Sequence, residues 1–385
     1  MNPNAEFDIV VHGATGFTGR LVVEHLNSRY GADGPIKWAM SGRSLAKLAE
    51  VRDLVGAPAA TPLIVADAAD PASLDAMVAR TKCVITTVGP YQLYGEPLLA
   101  ACAAAGTDYL DLSGEPGWMA AMIPLYDAAA RTSGARIIFS AGFDSTPFEL
   151  GVCYTQVLAQ KHLGHPVPHI SGRVRDMRGG LSGGTAASGR ATMEAIQKNP
   201  ALMAVMFNPF ALTPGFTGPE QPRGDKVRRD DALGVEVGPF MMAAINTKNV
   251  HRSNFLQGHP WGEAFTYDEM AIIQPGAQTE FPALVGDNVP KPGEGPSKEE
   301  RENGFYDLVF VGIDADGRQV RGAVHGDKDP GYASTSKLIA ETAICLVKER
   351  PDVAGGIWVA GAALGQSLID RLQTHAGLTF TDETT

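Results

Sequence analysis

Along roughly the first 140 residues, short apolar runs alternate with stretches whose apolar positions recur at helical spacing. That alternation is the mark of strand–helix–strand units laid on a parallel sheet. Strands are predicted at Phe7–His12, Ile36–Ser41, Pro62–Ala66, Cys83–Val88, Tyr109–Leu112 and Ile137–Ser140. Between them the pattern predicts helices near Gly16–Ser28, Leu45–Val55, Ala72–Ala79, Pro97–Ala105 and Trp118–Thr132, each opened or closed by Gly, Pro or Asp. Six strands with crossover helices make an α/β, doubly wound parallel sheet of the Rossmann dinucleotide-binding kind.

Beyond Gly151 the rhythm changes. From Pro200 to Pro296 the chain carries 12 of its 26 prolines with little periodicity, so long connections or irregular lobes are expected there. Phe305–Ile313 and Arg318–His325 flank Asp314-Ala315-Asp316-Gly317 and read as an antiparallel hairpin. Lys337–Val347 and Ala362–Leu372 are amphipathic helices.

The length, 385 residues, suits two domains. A net charge of −11, with acidic and basic side chains interspersed, argues against nucleic acid or an anionic surface as a partner of the whole chain. Cys83, Cys102, Cys153 and Cys345 lie far apart without histidines at ligand spacing, so neither a disulfide framework nor a metal site is expected. The N-terminus runs straight into a strand pattern, and no apolar run reaches the roughly 18 residues of a spanning helix. A soluble cytoplasmic protein is expected, with room left for peripheral membrane contact.

The strongest chemical signal is Gly13-Ala14-Thr15-Gly16-Phe17-Thr18-Gly19, between the first strand and the first helix. Glycines there allow a tight turn, close approach of the backbone to a pyrophosphate, and helix-on-strand packing, while free amides at the helix start attract phosphate. Where an NAD site usually places an acidic residue, after the second strand, stand Ser41, Gly42 and Arg43. An Arg fork without a carboxylate suits a ribose 2′-phosphate, so NADP(H) is the expected cofactor. Asp67 is a candidate acceptor for the adenine amino group or a helix cap before Pro71, and Gly89-Pro90 should lie beside the middle of the cofactor.

With these residues the chain resembles the saccharopine dehydrogenase-like (saccharopine reductase) superfamily, and within it the trans-acting enoyl reductase branch. The resemblance is carried by Gly13–Arg20 (GATGFTGR), Ser41–Ser44 (SGRS), Val88–Gly95 (VGPYQLYG), Tyr109–Glu115 (YLDLSGE), Ala141–Gly151 (AGFDSTPFELG), Gly180–Ser188 (GLSGGTAAS), Asp329–Ala333 (DPGYA) and Gly361–Gly377. It implies a Rossmann domain over 1–150, completed by 330–385, and an inserted α/β (α+β) domain over 151–329 for substrate and dimerisation, so a homodimer is compatible with it. One departure stands at Ile357-Trp358-Val359-Ala360, where the branch often has Thr-Pro.

The resemblance further implies reduction of a carbon–carbon double bond in a hydrophobic acyl or polyketide-like substrate, delivered by a separate synthase. Such a reaction needs a polariser or proton donor beside the hydride acceptor, and a phenol, protonated at neutral pH, suits it. Tyr91 and Tyr94 follow Gly89-Pro90, and Tyr332 lies in DPGYA. Asp144, with Gly142 and Ser145, is a candidate to orient substrate or cofactor, or else a helix cap. One of Asp111, Ser113 and Glu115 is expected to cap the helix near Trp118, and Ser182-Gly183-Gly184-Thr185 reads as an anion nest or a helix start.

An amino-acid imine reductase of the saccharopine type is the alternative, and Arg173, Arg175, Arg178 and Arg190 would be its carboxylate clamp. Against that, Phe207, Phe210, Phe216, Phe240, Met241 and Met242 offer an apolar wall or an ordinary core. A non-catalytic, lipid-associated cofactor binder is the alternative of a different class.

Overall fold

The computed structural model describes residues 5–32, 34–274, 290, 291 and 293–385. The apolar runs pair as β1 (Phe7–His12), β2 (Trp38–Gly42), β3 (Leu63–Val65), β4 (Thr81–Thr86), β5 (Asp108–Leu110) and β6 (Arg136–Phe139). Every pairing among them is parallel, in the order β3-β2-β1-β4-β5-β6. All six residues of β1 are buried, as a central strand covered by helices on both faces requires. Helices Phe17–Tyr30, Leu45–Leu54, Pro71–Val78, Glu96–Ala105 and Pro116–Ser133 fall within a few residues of the expected positions.

Helix Thr146–Leu163 leads from β6 into a second, mixed sheet. It contains β7 (His169–Arg178), β8 (Arg228–Asp230), β9 (Val235–Pro239), β10 (Thr266–Ile272), β11 (Phe305–Ile313) and β12 (Gln319–Gly326). The proline-dense stretch is more regular than expected: it supplies β8, β9, β10 and the helices Leu202–Phe207 and Ala243–Leu256. Its prolines punctuate rather than interrupt, with Pro239 ending β9 and Pro200 and Pro209 flanking the short helix. Residues 275–289 of that stretch lie outside the described residues. The hairpin forms as expected, β11 against β12 with Ile313 opposite Gln319. Helix Thr146–Leu163 lies tight on it, for a Cβ at Gly151 would come within 2.1 Å of the Phe310 ring and one at Gly322 within 2.6 Å of Thr155 Oγ1.

The segment after residue 330 serves both sheets. β13 (Gly356–Val359) extends the first beside β6, whereas β14 (Leu378–Asp382) pairs with β12 at the edge of the second. Trp358, in the departing Ile357–Ala360 stretch, is a residue of β13. A buried network pins this segment to the first helix: Arg371 Nε and His25 Nε2 lie 2.7 and 2.6 Å from the Glu341 carboxylate, and the Tyr30 hydroxyl donates to it at 2.8 Å. No helix among the described residues is long and apolar enough to cross a membrane.

Candidate functional site

The turn after β1 is built from backbone constraints. Gly13 has φ +87°, and a Cβ there would lie 2.8 Å from Thr87 Oγ1. A Cβ on Gly19 would fall 2.1 Å from Gly13 O, so the helix can seat on the turn only without a side chain. The N–H groups of Gly13 and Ala14 donate to Ser41 O at 3.0 and 3.1 Å, which ties the turn to the end of β2. Buried His12, ending β1, places Nδ1 3.2 Å from Ser41 Oγ; burial lowers its pKa to about 4 and keeps the ring neutral. Gly16 begins helix Phe17–Tyr30 without a side-chain cap, which leaves the first-turn amides to an outside anion.

Arg43 is exposed beyond the end of β2, with no hydrogen-bonding or ionic partner among the described residues, while Ser44 caps the next helix through Lys47 N–H. Asp67 accepts Ala69 N–H at 3.0 Å in a local turn. The cap before Pro71 is Asp70, not Asp67, because Asp70 directly precedes the helix and accepts Ala72 N–H. These residues fit a dinucleotide phosphate: a cradle that any Cβ would fill, an uncapped helix start, and a free guanidinium where the ribose would end.

A cavity of about 440 Å³ adjoins this crevice, and Thr18 of the glycine turn lines it together with Thr87, Gly89, Leu112 and Gly142 from the carboxyl ends of the first sheet. The facing wall is Met193, Ile196, Met206, Met241, Met242 and Ile245. Of the four phenylalanines and two methionines that read as an apolar wall or an ordinary core, only Met241 and Met242 line the cavity. Phe210 packs on Phe216 and His251, Phe240 on Phe148, and Phe207 projects into solvent at 77% exposure. Met193, Ile196 and Met206 were not singled out from sequence, although the i, i+3 spacing of the first two on helix Gly183–Lys198 was the available signal.

The three candidate tyrosines part company. Tyr332 lines the cavity and is buried; its hydroxyl accepts Ser182 N–H at 2.5 Å and lies 2.9 Å from Thr185 Oγ1. Phe17 of the glycine turn packs edge-on against its ring at 5.2 Å. Asp329 sets the turn that carries it, accepting Tyr332 N–H and Ala333 N–H at 3.0 and 2.8 Å. Burial raises the Tyr332 pKa against the pull of these hydroxyl partners, so the phenol stays protonated at neutral pH. Tyr91 also borders the cavity, but its hydroxyl is spent on the backbone, donating to Thr86 O and accepting Leu112 N–H, both at 3.1 Å. Tyr94, 49% exposed, is not among the lining residues.

Glu115 directly precedes helix Pro116–Ser133 without capping it, since its carboxylate reaches back to Tyr91 N–H and Gln92 N–H, each at 2.9 Å, and accepts from Ser188 Oγ. Asp111 accepts the N–H groups of Ser113 and Ser140, and Ser113 Oγ accepts Glu115 N–H. Asp144 is not a helix cap either, because Ser145 occupies that position. Asp144 lines the cavity with Oδ1 buried and unpartnered, and burial raises its pKa to about 7. Thr335 Oγ1 accepts the neighbouring Phe143 N–H at 2.9 Å, joining this loop to the turn that bears Tyr332. Ser182 is the helix start, its hydroxyl accepting Thr185 N–H.

Of the four arginines that the imine-reductase alternative would use as a carboxylate clamp, Arg173 and Arg175 are already paired. Arg173 is buried against Asp230 and Asp268 at 2.7 and 2.9 Å, and Arg175 pairs with Glu383 and Asp307. Neither they, nor Arg178, nor Arg190 line the cavity. Among the described residues no cluster of His, Cys, Asp or Glu is arranged to hold a metal ion.

Residues 9–138 match the model of the saccharopine dehydrogenase NADP-binding domain. The trans-acting enoyl reductase of Mycobacterium tuberculosis is 36% identical over 407 residues, covering 95% of this chain and 96% of its own. That of Mycobacterium ulcerans is 33% identical over 403 residues with the same coverage. Apo saccharopine dehydrogenase (L-Glu forming) from Saccharomyces cerevisiae superposes with a TM-score of 0.57 at 12% identity, over 98% of this chain and all of that one, a likeness of fold alone.

Proposed function

The chain belongs to the trans-acting enoyl reductase family of saccharopine dehydrogenase-like proteins, and from that premise we propose that it is an NADPH-dependent oxidoreductase that saturates the C=C bond of a hydrophobic enoyl thioester. The observation that carries this reading is the shared space: Thr18 of the glycine turn and a wall of methionines and isoleucines line one cavity. Flexible, polarisable methionines accommodate an extended acyl chain better than a polycarboxylate.

The glycine turn and Arg43 would hold NADPH, whose chemistry, when bound, would be to supply a hydride for the substrate's β-carbon. Tyr332 donates a hydrogen bond to the thioester carbonyl oxygen as negative charge gathers there, its hydroxyl oriented by Ser182 N–H at the head of helix Gly183–Lys198. Asp144 holds a proton at the cavity wall for the α-carbon. The thioester is presented by a separate synthase, in keeping with the word trans-acting in the relatives' names.

The test is to offer purified protein NADPH with a series of α,β-unsaturated acyl thioesters, and separately with amino-acid imines, following NADPH loss and product mass. Saturated thioester formed one-for-one with NADP⁺ is expected. Turnover of imines and of no thioester would overturn the reading.

A further inference from the structure

Helix Gly183–Lys198 shows the cavity two unlike edges. At about 100° per residue, Thr185, Ser188 and Thr192 run along one edge and Gly189, Met193 and Ile196 along the other, and all six line the cavity. The apolar edge continues into the wall of Met206, Met241 and Met242. The hydroxyl edge starts at Tyr332, whose hydroxyl lies 2.9 Å from Thr185 Oγ1, and climbs away from it by about 1.5 Å per residue.

Hydrogen bonding gives the two outer hydroxyls opposite characters. The buried Glu115 carboxylate takes the Ser188 hydroxyl hydrogen at 2.9 Å and has none to return. What Ser188 keeps for the cavity is an acceptor oxygen. Thr192 Oγ1 instead receives a hydrogen from Gln92 Nε2 at 3.2 Å, so its own remains to be given. The hydroxyls of Thr247 and Thr342 turn theirs back to the carbonyl four residues earlier, at 2.6 and 2.7 Å, whereas that of Thr192 has no acceptor among the described residues. Both side chains are half-buried and reach the cavity. An acceptor and a donor separated by a rise of about 6 Å suit one amide, bonded through N–H at one end and C=O at the other by hydrogen bonds of about 2.9 Å.

We propose that this hydroxyl edge holds the amide of the thiol arm that carries the acyl group, Ser188 accepting its N–H and Thr192 donating to its C=O, while the acyl chain lies along the methionine edge. The ligand class so selected is a thioester whose arm bears an amide two carbons beyond the sulfur, as N-acylcysteamine and pantetheine thioesters do. The proposal rests on the enoyl reductase reading and adds to it the recognition of the part of the substrate that does not react. With the thioester carbonyl at Tyr332, an amide so close to the sulfur falls beside the next turns of the helix. Binding energy gained there fixes the reacting carbons in place.

The experiment compares two enoyl thioesters with the same acyl chain, one of N-acetylcysteamine and one its amide-free S-pentyl counterpart, on the full chain with NADPH. Wild type should prefer the amide by about tenfold in kcat/KM, the range of one or two hydrogen bonds, and Thr192→Val should bring that ratio close to one. A wild type that does not distinguish the two probes, or a ratio that Thr192→Val leaves unchanged, would overturn the proposal. Ser188→Ala reads the same ratio if Thr192→Val does not fold. Coenzyme A and a carrier protein present the same arm, so enoyl esters of both are assayed as well: Thr192→Val should raise KM for each, and the ester with the larger kcat/KM in wild type names the source. Calorimetric Kd values for the saturated thioesters need no turnover. A wild type that reduces no thioester, yet binds the saturated amide probe tighter than the S-pentyl one and loses that preference in T192V, would remove the enoyl reading and keep the arm site; equal binding would remove the arm site.

Discussion

The Ser182 backbone N–H donates to the Tyr332 hydroxyl over 2.5 Å, so a tyrosine on the chain's return to the first sheet is gripped by the cap residue of a helix that follows the first strand of the second. Removing the hydroxyl alone tests what that grip is for. Tyr332→Phe keeps the ring against Phe17, and it should lower kcat by roughly 10²–10³-fold, the cost of losing one preorganised donor to a developing oxyanion. The NADPH Kd and circular dichroism should not change. Steady-state kinetics check this, and an unchanged kcat would exclude Tyr332 as the polariser.

Arg43, exposed just beyond β2 and without a partner among the described residues, should discriminate between the two nicotinamide cofactors. Arg43→Ala should weaken NADPH binding by about 10–100-fold, the range for losing a charge-assisted contact, and leave NADH binding nearly untouched. Calorimetric titration with both cofactors would show it. Equal losses for the two would detach Arg43 from the 2′-phosphate.

Gly19→Ala places a methyl group 2.1 Å from Gly13 O. The turn must open to admit it, at about 1–3 kcal/mol for an overpacked site, and the phosphate cradle opens with it. A fall in Tm together with loss of cofactor binding is expected. A variant that bound NADPH normally would show that the turn is not the cradle.

Met242, on the cavity wall with its Cε near the Gly114 backbone, offers a test of chain recognition. Met242→Phe narrows the space, and it should raise KM about tenfold for long enoyl thioesters, within the roughly 1–3 kcal/mol that pocket shape commonly commands. Short thioesters should be little affected. A uniform change across chain lengths would place the acyl chain elsewhere.

Glu149 gives a stability prediction away from the chemistry. It is fully buried, burial raises its carboxyl to about 8, and Oε2 accepts Gly361 N–H at 2.8 Å. Its folded pKa lies above the unfolded value of about 4.3, so folding holds a proton that the unfolded chain releases. The resulting stabilisation is complete below about pH 4 and is lost as pH rises towards 8. Glu149→Gln escapes that loss, and its Tm relative to wild type should climb from about pH 5 to about pH 8 and then level off. Thermal unfolding across pH checks the slope; a constant difference would mean that Glu149 is ionised in the fold.

The first sheet and the glycine turn were legible because their causes are local. Apolar period, Gly13, Gly16 and Gly19, and the missing acid after Ser41 all act between chain neighbours, which is why six strands and the crevice were recovered within a few residues. The second sheet was less legible. Its short strands β8 and β9 pair antiparallel, only β9 meets β10, and neither carries a strong period of its own. Likewise β14 looks like a chain end until it meets β12.

Residue chemistry alone thus determined the fold class, the cofactor and a short set of polar candidates. Tertiary structure decided among those candidates, because a side chain's role depends on what already satisfies it. Tyr91 closes a backbone gap between β4 and β5, Tyr94 faces solvent, Arg173 is neutralised by Asp230 and Asp268, and Tyr332 alone of the three tyrosines brings a helix-held hydroxyl to the cavity. Asp144 reads as an ordinary acid in the sequence, and only its burial at the cavity wall, which raises its carboxyl to about 7, makes it a holder of a proton.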